Sequence, residues 1–284
     1  MLRLTEIKLE LEHTYDELIN AICFKLSIQP EEVLSYTIFK RSYDARRSAM
    51  CWIYALDVEV QNEAEILENL FNSPHVSQTP DMSYTHVGQA PANLTERPIV
   101  VGFGPCGFFA ALTLAQMGFK PIVLERGKEV RERTKDTWDL WRKNILNPES
   151  NVQFGEGGAG TFSDGKLYSQ ARDPRYLGRK VIQEFIQAGA PDEIAYENHP
   201  HIGTFRLVGM VEKIRETIIG LGGEIRFEHK VSDVLIDEVA GVRQIRGVVL
   251  ADGSELLSNH IVMALGHSSR DTFKMLFERG VYIE

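Results

Sequence analysis

Apolar and polar positions change period several times along this chain, and each change marks an element. Leu4, Ile7 and Leu9 suggest a first strand. Thr14-Tyr15-Asp16-Glu17 follows as a capping box, after which Leu18, Ile22 and Leu26 recur at helical spacing. Pro30 fits the first position of a short helix. Val33 to Phe39 and Cys51 to Val60 read as strands around a polar turn, Arg41 to Ser48. A helix from Glu63 to Phe71 gathers Ile66, Leu67, Leu70 and Phe71 on one side. Residues 1–72 are therefore expected to form a small α+β domain. From Asn72 to Glu96 the periodicity disappears and Ser, Pro, Asn, Gln, Thr and Gly take over, with Pro74, Pro80 and Pro91. Residues 73–97 read as an extended linker.

The clearest pattern begins at Pro98. The apolar run Ile99-Val100-Val101 suits a strand buried on both faces. It enters Gly102-Phe103-Gly104-Pro105-Cys106-Gly107, a G-x-G-x-x-G loop. A helical pattern continues from Pro105 to Met117, then Gly118, then a second apolar run, Pro121 to Leu124, ending on Glu125-Arg126. Strand, glycine turn, helix and strand within about thirty residues make a dinucleotide-binding βαβ unit. Gly102 permits the tight turn, Gly104 leaves room for a pyrophosphate, and Gly107 lets helix and strand pack closely. The helix N-terminus then offers unpaired N–H groups and a positive dipole end to phosphates. Glu125 is placed to accept hydrogen bonds from an adenosine ribose and to repel a 2′-phosphate.

Beyond it, Gly127 to Lys143 is helical and charged, with Trp138 and Trp141 on one face as packing residues. Between Gly155 and Gly165 five glycines interleave with Thr161, Ser163 and Asp164, and Lys166 follows. Such a run permits close backbone approach. It reads as a second cradle, centred on Gly158, Ala159, Gly160 and Thr161, over a cofactor too large for one glycine loop. A flavin dinucleotide fits better than a nicotinamide one. Leu177 to Ala188 and Phe205 to Leu221 are amphipathic. His199 and His201 flank Pro200 at a spacing unsuited to metal ligation. Four strands follow, Glu224–Phe227, Val231–Ile236, Val242–Ala251 and Glu255–Ser258. A buried strand, Ile261 to Gly266, then leads to a last helix from Thr272 to Arg279.

Composition narrows the partners. Of 284 residues, 43% are hydrophobic and 25% charged, ordinary values for a globular protein. The formal net charge of −9 argues against nucleic acid as a partner. The basic cluster Lys40, Arg41, Arg46 and Arg47 fits a charged hairpin tip better than an anion or RNA surface. No run approaches the roughly 18 apolar residues of a membrane span, and the first residues lack the apolar core of a signal peptide. Cys23, Cys51 and Cys106 lie far apart with no C-x-x-C, so neither a disulfide framework nor a metal site is indicated. A cytoplasmic location is expected, with a small molecule as substrate.

The order of glycine-loop βαβ, glycine cradle, strand meander and Val-Met-Ala-Leu-Gly resembles the FAD-binding half of the glutathione-reductase-like flavoproteins. More narrowly, GFGPCGFFAALTLAQMG, GEGGAGTFSDGKLYS, HPHIGT and ALGHSSRDTF are similar to the bacterial FAD-dependent dehydrogenase family, whose members carry a small α+β domain ahead of the flavin domain. The resemblance implies an α/β fold, with residues 98–284 as a Rossmann-like FAD-binding domain of parallel sheet and β-meander. It implies that Gly102, Gly104 and Gly107 hold the FAD pyrophosphate and Glu125 the ribose, with Pro105, Cys106 and Arg126 beside them. Gly158 to Thr161 would line the opposite side, Val231 would meet the adenine through its backbone, and Gly266 would close the adenosine end. Members of that family continue well past the position of Glu284, so the resemblance also implies a chain without its C-terminal half and with apolar surface left uncovered.

An FAD-dependent oxidoreductase, with NADH or NADPH as donor, is the function expected. Lys166 is the candidate cation for reduced flavin and Asp164 its hydrogen-bonding partner; structural loop residues are the alternative. His267 and Arg270 are candidates for lining a substrate pocket. A flavin-binding scaffold without turnover and a flavin-free NAD-dependent dehydrogenase are the competing readings.

Overall fold

The computed structural model describes residues 1–46, 49–167 and 171–283. It resolves into two compact units, the first made of residues 1–84, 167–183 and 191–200, the second of 85–166, 184–190 and 201–284.

The first unit is built on an antiparallel sheet. Strand β1 (Leu2–Glu10) is followed by helix α1 (Tyr15–Leu26), strands β2 (Val33–Asp44) and β3 (Cys51–Val60), helix α2 (Glu63–Asn69) and strand β4 (Val76–Gln78). The sheet order is β2-β3-β1-β4. Thr14 caps α1 reciprocally with Glu17, whose carboxylate accepts the Thr14 N–H at 2.6 Å. The odd spacing of Leu4 and Ile7 has a local cause. Glu6 takes a left-handed φ of 57°, and the β1–β3 register shifts between Leu4 and Ile7. The bulge turns both side chains into one core, where they are 0% and 3% exposed. Leu18, Ile22, Leu56 and Val58 complete that core.

Three features of this unit differ from the sequence reading. β2 runs on to Asp44, so Arg41 lies within a strand and not in a turn; Arg47 and Ser48 fall outside the described residues. Val76–Gln78, expected within a linker, pairs with Leu2–Leu4. Residues 167–183 and 191–200, assigned by sequence to the second domain, cluster with the first 84. Arg179 donates to the Phe39 carbonyl at 2.8 Å, and Arg41 pairs with Glu197. Nothing in local periodicity marks such long-range bonds.

In the second unit, strand β5 (Ile99–Val101), helix α3 (Pro105–Gln116), strand β6 (Ile122–Leu124) and helix α4 (Val130–Lys143) lead to helix α5 (Leu177–Gln187), which crosses the division between the units. Helix α6 (Thr204–Gly220), strands β7 (Glu224–Arg226), β8 (Val231–Val239), β9 (Val242–Leu250), β10 (Glu255–Leu257) and β11 (Ile261–Met263), and helix α7 (Arg270–Glu278) complete it. An all-parallel sheet has the order β11-β5-β6-β7, and β8, β9 and β10 form an antiparallel meander. The fold is thus a mixed α/β one.

The meander lies on one face of the parallel sheet, where Ile99, Val101, Ile122 and Leu124 meet Val231, Val234, Val248 and Leu276. Val100 and Val123, pointing the other way, are equally buried. Burial on both faces explains the continuous apolar runs of β5 and β6. α4 starts three residues later than Gly127, because Gly127 carries no Cβ and packs its backbone against Gly155. The residues of 73–97 beyond Tyr84 belong to this unit, and the Ala90 N–H donates to Met117 at the end of α3. Among the described residues no helix is long and apolar enough to cross a membrane.

Candidate functional site

The C-terminal ends of β5, β6 and β11 open into one cleft. Its floor is the turn from β5 into α3. Gly102 has φ +98°, and a Cβ there would sit 2.4 Å from the Ala264 carbonyl oxygen. Gly107 faces back on the same turn, where a Cβ would lie 1.9 Å from the Gly102 carbonyl oxygen. No other residue fits either place. Gly104 differs: its φ is −82°, and an added Cβ would meet only Gly158 Cα, at 3.7 Å. The two glycine segments therefore approach each other backbone to backbone at the mouth of α3, on the wall of the cleft.

Glu125, at the end of β6, holds these loops together. Its buried carboxylate accepts the N–H groups of Phe103 at 2.7 Å, Gly127 at 2.8 Å and Gly155 at 3.0 Å. A carboxylate has about four acceptor positions, so roughly one remains for a ligand. Sequence reasoning placed an acid here for a ribose but could not foresee its bonds to three separate backbone segments.

Behind the cradle lies a group that periodicity does not mark. Arg133 on α4 is 0% exposed. Its guanidinium donates to the carbonyls of Asn151 at 2.7 Å, Val152 at 2.7 Å and Glu156 at 2.5 Å, gathering the 151–156 loop around one cation. Burial lowers its pKa to about 10. The Glu156 side chain, also 0% exposed, accepts the Val130 N–H at 2.7 Å and a bond from Arg215 at 3.2 Å. Its second oxygen has no partner among the described residues. Burial pushes this carboxyl up to about 7, against the pull of Val130 and Arg215. The one sequence signal for Arg133 was a charged residue on an amphipathic helix, indistinguishable from its exposed neighbours.

The rim carries charge in matched pairs. Arg126 donates to Glu149 at 2.7 Å and to both Asp271 oxygens at 3.0 Å, and lies 4.1 Å over the Phe154 ring. Lys230 reaches Glu149 at 3.0 Å and Asp271 at 2.8 Å. Burial works against both acids, yet these two cations hold each carboxyl below its usual range.

Of the residues expected to bind a cofactor, Gly102, Gly104, Pro105, Cys106, Glu125, Arg126, Gly158, Ala159, Val231 and Gly266 line this cleft together. Gly107, Gly160 and Thr161 do not: Gly107 is used in packing, and Thr161 is buried with its hydroxyl 3.5 Å from the Glu156 carbonyl.

Chain comparisons add the following. A profile for a domain of unknown function, DUF8436, matches residues 1–59. An uncharacterized protein of Clostridium beijerinckii is 39% identical over 290 residues, covering 100% of this chain and 52% of that protein. The chain spans about half the length of that relative. Among solved structures, THI4 of Thermovibrio ammonificans is 18% identical, with 66% of this chain and 64% of that one covered at a TM-score of 0.43. The anhydrotetracycline hydroxylase OxyS of Streptomyces rimosus is 22% identical, with 64% and 34% covered at 0.33. The quinol fumarate reductase subunit FrdA of E. coli is 15% identical, with 64% and 37% covered at 0.39. Likenesses this loose fix neither the fold nor the chemistry of the chain.

Lys166 and Asp164 are not among the residues of the cleft. They pair with each other at 3.5 Å on the surface, 68% and 48% exposed, and His201 lies 3.4 Å from the same Asp164 oxygen. The glycines around them make a turn against α6, which explains their clustering without a ligand: a Cβ on Gly165 would meet Ile202 and Leu207. Trp138 and Trp141 do share a helix face, 5.8 Å apart, but remain 44% and 56% exposed. No group of three or more His, Cys, Asp or Glu that could hold a metal occurs among the described residues. His267 and Ser268 line the cleft, joined by Gln153. A further, largely apolar cavity of about 530 Å³ lies between β8, β9, β11 and α7, and no sequence motif foretold it.

Proposed function

We propose that this chain is the FAD-binding part of a flavin-dependent oxidoreductase, with residues 98–284 in a Rossmann-like arrangement. The observation that carries the reading is that Gly104 and Gly158 present bare backbone side by side along the cleft wall at the start of α3, the surface a pyrophosphate needs to approach a helix N-terminus closely. A Cβ at Gly104 would stand beside Gly158 Cα, 3.7 Å away, on the cleft side of the turn. In this reading Phe103 to Cys106 and the cradle at Gly158 and Ala159 hold the phosphates. The remaining acceptor position of Glu125 takes a ribose hydroxyl, Val231 meets the adenine, and Gly266 closes the adenosine end. When bound, the flavin supplies the hydride and electron chemistry; the chain binds, orients and shields it.

The residues act by being held in advance. Arg133 and Glu125 fix the loops before any ligand arrives, so little ordering remains to oppose binding. The deciding experiment is the visible spectrum of the purified chain, with the released cofactor identified after denaturation. Flavin bands and FAD on release are expected; a colourless chain that also refuses added FAD overturns the assignment. Steady-state oxidation of NADH or NADPH then tests the donor.

One observation favours a second reading, flavin held without turnover: neither Lys166 nor Asp164 faces the cleft. A yellow chain with no steady-state activity toward either donor supports it.

A further inference from the structure

Beside the cleft lies a second cavity of about 340 Å³, lined by Gln153, His267, Ser268 and Arg270. Gln153, His267 and Ser268 line the main cleft as well, so the two spaces adjoin. We propose that this cavity is an anion subsite, which takes a carboxylate or phosphoryl group next to the bound dinucleotide.

The chemistry of the lining carries the proposal. Each of the four side chains has a hydrogen to donate, and no carboxylate borders the space. Arg270 forms no side-chain hydrogen bond or ion pair among the described residues, in a chain where most arginines are paired. The nearest acid in sequence, Asp271, is fully engaged by Arg126 at 3.0 Å and Lys230 at 2.8 Å, so it does not neutralise Arg270. Ser268 Oγ lies 3.4 Å from His267 Nε2, which orients the hydroxyl. An unpaired guanidinium beside three further hydrogen-bond donors is complementary to a planar or tetrahedral oxyanion. Two segments far apart in sequence, at 153 and at 267–270, must come together to make it, and neither carries a recognisable anion motif.

The position beside a dinucleotide rests on the reading of the cleft given above; the affinity for an anion does not. The anion has two sources in this geometry, a phosphate of the dinucleotide itself or the acid group of a second ligand.

Both are separated by one set of titrations on the purified chain at constant ionic strength. Inorganic phosphate is added and the thermal midpoint followed, for the wild type, Arg270→Gln, Arg270→Lys and Gly104→Val. A saturating rise is expected for the wild type. Arg270→Gln should weaken phosphate at least tenfold, with part of the loss recovered in Arg270→Lys, while Gly104→Val, which blocks the neighbouring phosphate approach, keeps the response. The same Arg270→Gln chain is then assayed for FAD retention. A parallel tenfold loss of FAD assigns the anion to the dinucleotide; unchanged retention assigns it to a second, acidic ligand. The proposal is overturned if the wild type shows no saturating response, or if Arg270→Gln responds as the wild type does. A colourless protein that refuses added FAD but keeps its phosphate response would defeat the flavin reading and leave the subsite standing.

Discussion

The two neighbouring glycines of the β5–α3 turn are not equivalent, and substitution separates their roles. At Gly102 the left-handed backbone and the Ala264 carbonyl 2.4 Å from a built Cβ leave an alanine strained on both counts. Gly102→Ala should lose about 1–3 kcal/mol of stability, read from denaturant unfolding. Gly104→Val should unfold at nearly the wild-type midpoint yet lose flavin, because its side chain fills the cleft and not the core. Full flavin retention would remove the loop from the site. Glu156 gives a prediction in pH. Its usual carboxyl value of 4.5 is raised by burial to about 7, with Val130 and Arg215 opposing and Glu129 and Glu212 adding to the rise. Between those values the folded chain binds more protons than the unfolded one, so stability falls as pH rises, by on the order of 3 kcal/mol in all. Glu156→Gln should flatten that slope. Urea midpoints at pH 5 and pH 8 for both chains make the comparison, and equal slopes would refute it.

Arg133 makes the cradle an element and not merely a loop. Replacing it with methionine keeps much of the bulk but strands two buried carbonyls, at Asn151 and Glu156, each costing about 1–3 kcal/mol, and the half-buried one of Val152. Arg133→Met should therefore lower the thermal midpoint and also release flavin. Arg133→Lys, with one ammonium in place of a fork, should recover only part of either. At this scale the legibility of the sequence divides cleanly. The βαβ unit was readable because strand, turn and helix each need particular residues within thirty positions. The meander and α6 were readable from period alone. The support of the cradle was not, since Arg133 reaches the 151–156 loop and Glu125 reaches Gly155 through bonds that no spacing records. Glycine density misled in the other direction: Gly158 lines the cleft, whereas Gly165 packs against Leu207.

For the molecule as a whole, the division into units does not follow the chain. Residues 167–183 and 191–200 are contiguous in sequence with the second unit but bonded within the first. A deletion of residues 1–84 thus removes Phe39 and Arg41, the partners of Arg179 and Glu197 in that segment, and leaves an excursion with little support. The expected outcome is rapid proteolytic cleavage between 167 and 200, while fragments retaining residues 98–166 and 201–284 keep the cleft residues. A truncated chain as resistant to protease as the intact one would show that the excursion stands without the first unit. Local pattern concealed this, because the bonds of Arg179 and Glu197 reach back across more than a hundred positions.

The three amides on Glu125 also limit how this site can change over generations. Exchanging the acid after a second strand for a neutral or basic residue is a simple way to make such a cleft accept a phosphorylated ribose. Here that exchange would cut Phe103, Gly127 and Gly155 loose at once. A lineage of this protein could retune its rim at Arg126, Glu149 or Lys230, but position 125 would stay closed to single-step drift, and nucleotide preference would be inherited along with the architecture.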